Sequence, residues 1–240
     1  ESPTYTGAMA AFRSRGAQIH AVPLQDDGID LEALENQLKI QQPKLIYVMT
    51  NFQNPTGICY SPEKQKALLD ICRRWDVRLI EDDSFTELAY NREQGQAIKA
   101  QDEDDRVIYI KSFSKILMPG LRLAFMLAPQ RLLPQLMAAK HIADISTSGL
   151  VQRVFDVYLR RDLWKTHLEY MKECYRERYH HILQAIQDSF PPEVSFRAPE
   201  GGLCLWVEGY PGLSSNRLYE ACLAHQVVIA PGSHFFPDNR

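Results

Sequence analysis

The chain has 240 residues, 45% of them hydrophobic, and a formal net charge of -3. That size and apolar content suffice to bury a core as one or two domains, and the near-balanced charge argues against this segment gripping a polyanion such as nucleic acid by itself. No apolar run reaches the length of a membrane span and no signal-peptide pattern opens the chain. Five scattered cysteines, Cys59, Cys72, Cys174, Cys204 and Cys222, contain no C-x-x-C pair, which argues against a disulfide framework or a zinc site and for a reducing cytoplasm.

In chain order, Tyr5 to Arg15 has a helical pattern that ends near Gly16, followed by a short extended piece, Gln18 to Val22. Asp30 can cap a helix over Leu31 to Leu38, with Leu31, Leu34 and Leu38 on one face. Lys44 to Met49 is a compact apolar run short enough for a buried strand. Ser61-Pro62-Glu63 then reads as an N-cap, a first-turn proline and an acid beside the helix dipole, opening a helix with Leu68, Leu69, Cys72 and Trp75. Arg78 to Glu81, Val107 to Ile110 and Leu121 to Ala128 are expected as further buried strands. Strands alternating with helices predict a layered α/β domain with a largely parallel sheet. From Leu132 the character changes: Leu132 to Ala143, Leu150 to Leu159 and Leu163 to Gln187 all read as helices, until Pro191-Pro192 breaks the run. A smaller unit is expected after that, with strand Leu203 to Val207, helix Asn216 to His225 and strand Val227 to Ala230. The domain change is placed near residue 162, giving domains 1–162 and 163–240.

Three loops after expected strands carry unusual residues: Asn51-Phe52-Gln53-Asn54-Pro55-Thr56-Gly57; Glu81-Asp82-Asp83; and Lys111-Ser112-Phe113-Ser114-Lys115 with Pro119-Gly120-Leu121-Arg122. Ligands of open α/β sheets bind beyond the carboxyl ends of the strands, so these loops can converge on one site. Singly, each has an ordinary explanation: a turn at Asn-Pro, helix-capping aspartates, a surface lysine. No G-x-G-x-x-G and no G-x-x-x-x-G-K-[ST] is present.

Taken together, N-P-T-G at Asn54 to Gly57, the acidic strand end at Asp82, S-x-S-K at Ser112 to Lys115 and Arg122 seven residues on resemble the fold-type-I aminotransferases of class I and II. P-T-Y at Pro3 to Tyr5, P-E-G-G at Pro199 to Gly202 and A-P-G-S-H-F-F at Ala230 to Phe236 extend the resemblance to both ends. It implies a three-layer α/β/α large domain with a mostly parallel sheet, a small C-terminal α/β domain, a homodimer, and pyridoxal 5'-phosphate as cofactor. By the same resemblance, Lys115 would bond covalently to the cofactor aldehyde and shuttle the substrate proton, a role open to a lysine whose amine is freed by its surroundings. Asp82 would face the pyridine nitrogen, Asn54 the ring's phenolic oxygen, Ser112 and Arg122 the phosphate, and Tyr5 would stack on the ring.

Three departures accompany the resemblance. The tyrosine that the family often carries two or three residues beyond the aspartate is Ser84 or Phe85 here. A glycine-containing phosphate loop is expected upstream of Glu1, and the arginine that clamps the substrate carboxylate is expected after the P-G-S-H-F-F-P segment, to which Arg240 stands too close. The chain therefore reads as part of something longer. Its reaction would be transfer of an amino group between an α-amino acid and a 2-oxo acid, with decarboxylation or carbon–sulfur cleavage as other outcomes on the same scaffold. T-N-F-Q-N-P-T-G, E-D-D and Asp144 to Gly149 also resemble the aminotransferase-like domains of MocR/GntR-type regulators, in which DNA would be bound only by a winged helix-turn-helix outside this chain. His180-His181 and the three tryptophans, Trp75, Trp164 and Trp206, are assigned to solvent and to packing. His234 stays open, lying in the loop nearest the expected clamp.

Overall fold

The computed structural model describes residues 1–238; Asn239 and Arg240 lie outside the described residues. Seven helices are described: α1 (Thr6–Ser14), α2 (Leu31–Gln41), α3 (Pro62–Arg74), α4 (Leu133–Asp144), α5 (Gly149–Arg160), α6 (Leu163–Ser189) and α7 (Ser215–Ala224). The strands are β1 (Leu24–Gln25), β2 (Gly28–Ile29), β3 (Leu45–Val48), β4 (Arg78–Asp83), β5 (Val107–Ser112), β6 (Ala124–Leu127), β7 (Ser195–Phe196) and β8 (Val207–Glu208).

The central sheet has the order β3-β4-β5-β6, with β3, β4 and β5 parallel and β6 antiparallel to β5. Parallel neighbours need crossovers, and α3 supplies the one between β3 and β4. Its start follows from local chemistry: the Ser61 hydroxyl accepts from the Lys64 N–H at 3.1 Å, Pro62 occupies the first turn, and Arg73 and Arg74 sit at the carboxyl end of the dipole. Asp30 caps α2 in the same way, accepting from the Ala33 N–H at 2.9 Å. The main core joins Leu34 and Leu38 of α2 and Leu68, Leu69 and Cys72 of α3 to Ile46, Val48, Leu79 and Val107 of the sheet. A second cluster, Met49, Phe52, Phe85, Leu88, Ala89 and Leu168, ties the loops at the strands' carboxyl ends to α6.

Several expectations are corrected. Gln18 to Val22 pairs with no strand; a two-residue hairpin, β1-β2, turns at Asp26-Asp27 instead. The strand at 121–128 is shorter, and its four residues are exposed rather than buried, β6 lying last in the described sheet and antiparallel to β5. Of Leu203 to Val207 only Val207 is paired, against β7, and Val227 to Ala230 forms no strand. Apolar residues there gave a strand pattern, but no described strand pairs with them. Ser148, within a stretch that suggested a regulator, caps α5 through the Val151 N–H at 3.4 Å.

Candidate active site at the carboxyl ends of the strands

Alternation along β4 gives its three acids different environments, since successive side chains point to opposite faces. Glu81 is fully buried on the main-core face, where its carboxylate accepts from the Thr50 hydroxyl at 2.7 Å, the Ile98 N–H at 2.8 Å and the Lys99 N–H at 3.0 Å. Burial still holds its pKa above the ordinary value, against those three donors. Asp83 lies on the same face and forms a buried ion pair with Lys111 at 3.0 Å. It also accepts from the Tyr109 hydroxyl at 2.6 Å and the Thr86 N–H at 3.2 Å. Burial works to raise the Asp83 pKa, but Lys111 and these donors outweigh it and hold the carboxyl below its usual value. Lys111 reaches Glu87 as well.

Asp82 faces the other way. Its Oδ2 accepts from the Tyr47 hydroxyl at 2.7 Å and its Oδ1 from the Ser84 hydroxyl at 3.3 Å. Both donors are neutral, and no cation lies within ion-pair distance among the described residues. Burial, with Asp83 adding, pushes its pKa up against Tyr47, Ser84 and Lys111. Tyr47 was not singled out from sequence. The signal was available, because Tyr47 sits between buried Ile46 and Val48 on β3 and pairs with Ile80, two residues before Asp82 on the same face. Burial first and Asp82 second drive the Tyr47 phenol far above its ordinary pKa, with a smaller push from Tyr5, so Tyr5, Tyr47 and Asp82 share one neighbourhood. The Phe12 ring of α1 packs on Tyr47 at 5.7 Å. Tyr5 itself precedes α1 and is 40% exposed, open to a flat partner.

The loop after β3 is fixed by a residue next to the motif asparagine. Gln53 is fully buried; its Oε1 accepts from the Thr56 N–H at 3.0 Å and the Thr56 hydroxyl at 2.6 Å, while its Nε2 donates to the Pro3 carbonyl at 2.8 Å. The loop closes through the Gly57 N–H on the Gln53 carbonyl at 2.7 Å, with Gly57 at φ +74°. These bonds hold Asn54 at the strand ends with its side chain partly exposed.

Ser112 ends β5, and its hydroxyl accepts from the Ser114 N–H at 3.3 Å. Lys115 follows in the loop, exposed and with no ion-pair partner among the described residues. Its ammonium does reach the Cys204 thiol electrostatically: burial pushes that thiol up and Lys115 pulls it back. Arg122 has the left-handed backbone φ of +52°, uncommon for a non-glycine residue and costly unless the surroundings demand it, and its Nη1 makes only a 3.3 Å contact to the Pro119 carbonyl. Lys115 forms no hydrogen bond to Asp82, Asn54 or Ser112. Phe85, where the family's tyrosine could stand, is buried in the second core cluster and carries no hydroxyl, whereas Ser84 is spent on Asp82. The described residues hold no cluster suited to a metal ion. His180 and His181 are exposed, and Trp206 packs on Phe235 at 5.9 Å.

This donor set fits a phosphorylated pyridine aldehyde. Asp82 has neutral donors and no cation, as a carboxylate awaiting a ring N–H would. Lys115 offers an amine outside any ion pair, and Arg122 and Ser112 offer donors for a phosphate.

The fold and these strand-end loops define an aminotransferase-type α/β protein. The family "Aminotransferase class I and II" matches residues 1–237, and the chain belongs to it. It is 32% identical over 241 residues to aromatic-amino-acid aminotransferase 1 of Thermococcus litoralis, covering 98% of this chain and 58% of that one. It is 34% identical over 236 residues to the HTH-type transcriptional regulator YdcR of Escherichia coli, covering 98% of this chain and 50% of the regulator. Among solved structures, it superposes with a TM-score of 0.92 on LysN, the α-aminoadipate aminotransferase of Thermus thermophilus complexed with N-(5'-phosphopyridoxyl)-L-leucine, at 35% identity over 98% of this chain and 61% of that one. The chain thus spans about half to three-fifths of the length of these relatives.

Proposed function

We propose that the chain is the cofactor-binding part of a pyridoxal-phosphate-dependent aminotransferase that moves the amino group of an α-amino acid to a 2-oxo acid. One observation carries this reading. Of two adjacent aspartates and two nearby lysines, Asp83 and Lys111 neutralise each other inside the core, while Asp82 and Lys115 have no ion-pair partner among the described residues.

Pyridoxal phosphate, when bound, supplies an electron sink that makes the substrate's α-hydrogen acidic. The chain's residues do the rest. Lys115 would hold the cofactor through its amine and, once the substrate amine has taken that place, would be the base that carries the substrate's α-proton. Asp82, kept in place by Tyr47 and Ser84, would hold a proton on the ring nitrogen. Ser112 and Arg122 would bind the phosphate, Asn54 would donate to the ring oxygen, and Tyr5 would cover the ring. The relatives' names support amino acids as substrates, and we place the protein in the cytoplasm as a homodimer. Borohydride reduction of the cofactor-loaded protein should fix the label on Lys115; label on Lys111 or Lys140 overturns the assignment.

The similarity to YdcR supports a second reading, in which the same pocket senses an amino acid and controls DNA binding by a separate winged helix-turn-helix. A full-length protein of that kind should bind a specific duplex with strong salt dependence, and the amino acid should shift that affinity. Rapid half-reactions with amino acids and no duplex binding would leave the enzyme reading alone.

A further inference from the structure

A polar cavity lies on the seam between the N-P-T-G loop and the P-E-G-G segment. Its volume is about 220 Å³, and Gly57, Cys59, Arg92, Arg197, Pro199 and Glu200 line it. None of these residues belongs to the proposed cofactor site. The seam is tight: a Cβ on Gly57 would come within 3.0 Å of the Pro199 Cβ, and one on Gly201 within 2.4 Å of the Phe52 ring. The Tyr90 and Asn91 N–H groups donate to the Glu200 carbonyl at 3.3 and 3.0 Å, so the segment carrying Arg92 is laced to the segment carrying Arg197.

The two guanidiniums are only partly satisfied. Arg92 spends Nη1 on Glu200 at 3.1 Å, and Arg197 spends Nη1 on the Asp26 carbonyl at 2.7 Å and its carboxylate at 3.4 Å. Each keeps Nε and Nη2 in hand, and a guanidinium's fork of donors matches the oxygens of phosphate or carboxylate. Both ion pairs are open to solvent, Glu200 57% and Asp26 fully exposed against 34% for Arg92 and 53% for Arg197, so water weakens each pair and leaves its arginine free to exchange a carboxylate for another oxyanion. The Cys59 thiol lies on the cavity wall and accepts from the Phe52 N–H at 3.2 Å; burial raises its pKa, the Phe52 N–H, Arg92 and Arg197 pull it down, and Glu200 pushes it up.

We propose that this cavity is a binding site for a compact oxyanion, a phosphate or a small dicarboxylate, held between Arg92 and Arg197 and separate from the cofactor site. The occupant bridges the two segments and presses the N-P-T-G loop against Pro199. The site stands independently of the cofactor assignment, and the loss of either leaves the other in place.

Isothermal titration of the chain with inorganic phosphate, and separately with succinate, at constant ionic strength tests it. The expected result is a saturable event that R122Q leaves intact, that R92Q or R197Q weakens several-fold, and that the double variant abolishes. The tighter of the two probes identifies the source. A phosphate event removed by R122Q alone belongs to the cofactor site and counts against the proposal, as does the absence of any saturable event. Alkylation of Cys59 by neutral iodoacetamide, mapped by peptide against Cys222 in the unsubstituted chain, gives a second reading that no folding defect can confuse. Protection of Cys59 that saturates with the anion supports the site, and an unchanged ratio of the two rates overturns it.

Discussion

Lys111→Met and Lys115→Ala should separate the lysine that supports the fold from the lysine assigned to chemistry. The Lys111 side chain is 4% exposed, that of Asp83 is 5% exposed, and their charges stand 3.0 Å apart. At an effective dielectric of about 20, such a pair attracts by roughly 5–6 kcal/mol before desolvation is counted. Removing one partner leaves a buried charge behind, which costs about 3–5 kcal/mol. Asp83 keeps the Tyr109 hydroxyl and the Thr86 N–H, which lowers the loss, while Glu87 also loses its cation, so the loss should fall within that range. Lys115 is exposed and outside any ion pair, so its removal should change stability by no more than about 0.5 kcal/mol. Urea unfolding followed by circular dichroism at neutral pH measures both. A pH series adds a check, because without Lys111 the Asp83 carboxyl titrates higher, and the penalty should shrink as acid neutralises it. Equal stabilities for the two variants, or a penalty that does not shrink in acid, would refute the separation.

Asp82→Asn should slow single-turnover proton abstraction by about 100-fold or more, the scale of losing one preorganised electrostatic partner, while cofactor stays bound through its phosphate; unchanged chemistry refutes it. Arg122→Lys keeps the charge but loses the fork, so cofactor should leak on dialysis while chemistry per bound cofactor persists, as absorbance and rate together will show. Asp83, with its carboxyl held below the usual value, contributes stability that is full above the unfolded carboxylate pKa and lost as pH falls through the folded one. Asp83→Asn should therefore flatten the acid limb of a pH–stability curve. Glu81 has the opposite sign: its raised pKa gives stability present below the unfolded value and lost as pH rises, so Glu81→Gln should flatten the limb above it.

The sequence made the layered α/β order legible wherever an element carried its own boundary signals. Ser61-Pro62 and Asp30 mark helix starts by chemistry that is local, and both caps form. Strands whose identity depends on a distant neighbour were legible only in part: Val227 to Ala230 has the composition of a strand but pairs with none among the described residues, and β6, whose apolar run suggests burial, is exposed. The motif residues Asn54, Asp82, Ser112 and Lys115 could be proposed from sequence because their types and spacing resemble the motifs of a family, and the structure brings them to the carboxyl ends of the strands. Tyr47, which fixes Asp82, and Gln53, which fixes the loop around Asn54, could not be read there, since they act through hydrogen bonds to residues 35 positions and 50 positions away.

The two adjacent aspartates show how one strand serves stability and chemistry at once. A period of two sends Glu81 and Asp83 into the main core, where each is saturated by donors or a cation, and sends Asp82 to the face shared with Tyr47. A carboxylate on the core side can stay charged only by being neutralised there, and a neutralised carboxylate has nothing left for a ligand. Asp82 is restrained by two neutral hydroxyls, which fix its direction without cancelling its charge. The same reasoning divides the lysines, because Lys111 is still within β5 and points inward, whereas Lys115 lies past the strand end where the loop frees its amine. A one-residue slip in β4 would exchange the faces of Asp82 and Asp83, burying the free carboxylate and exposing the paired one. The registers Asp82 to Ile110 and Asp83 to Lys111 prevent this, so the ion pair of Asp83 with Lys111 keeps Asp82 pointed toward Tyr47.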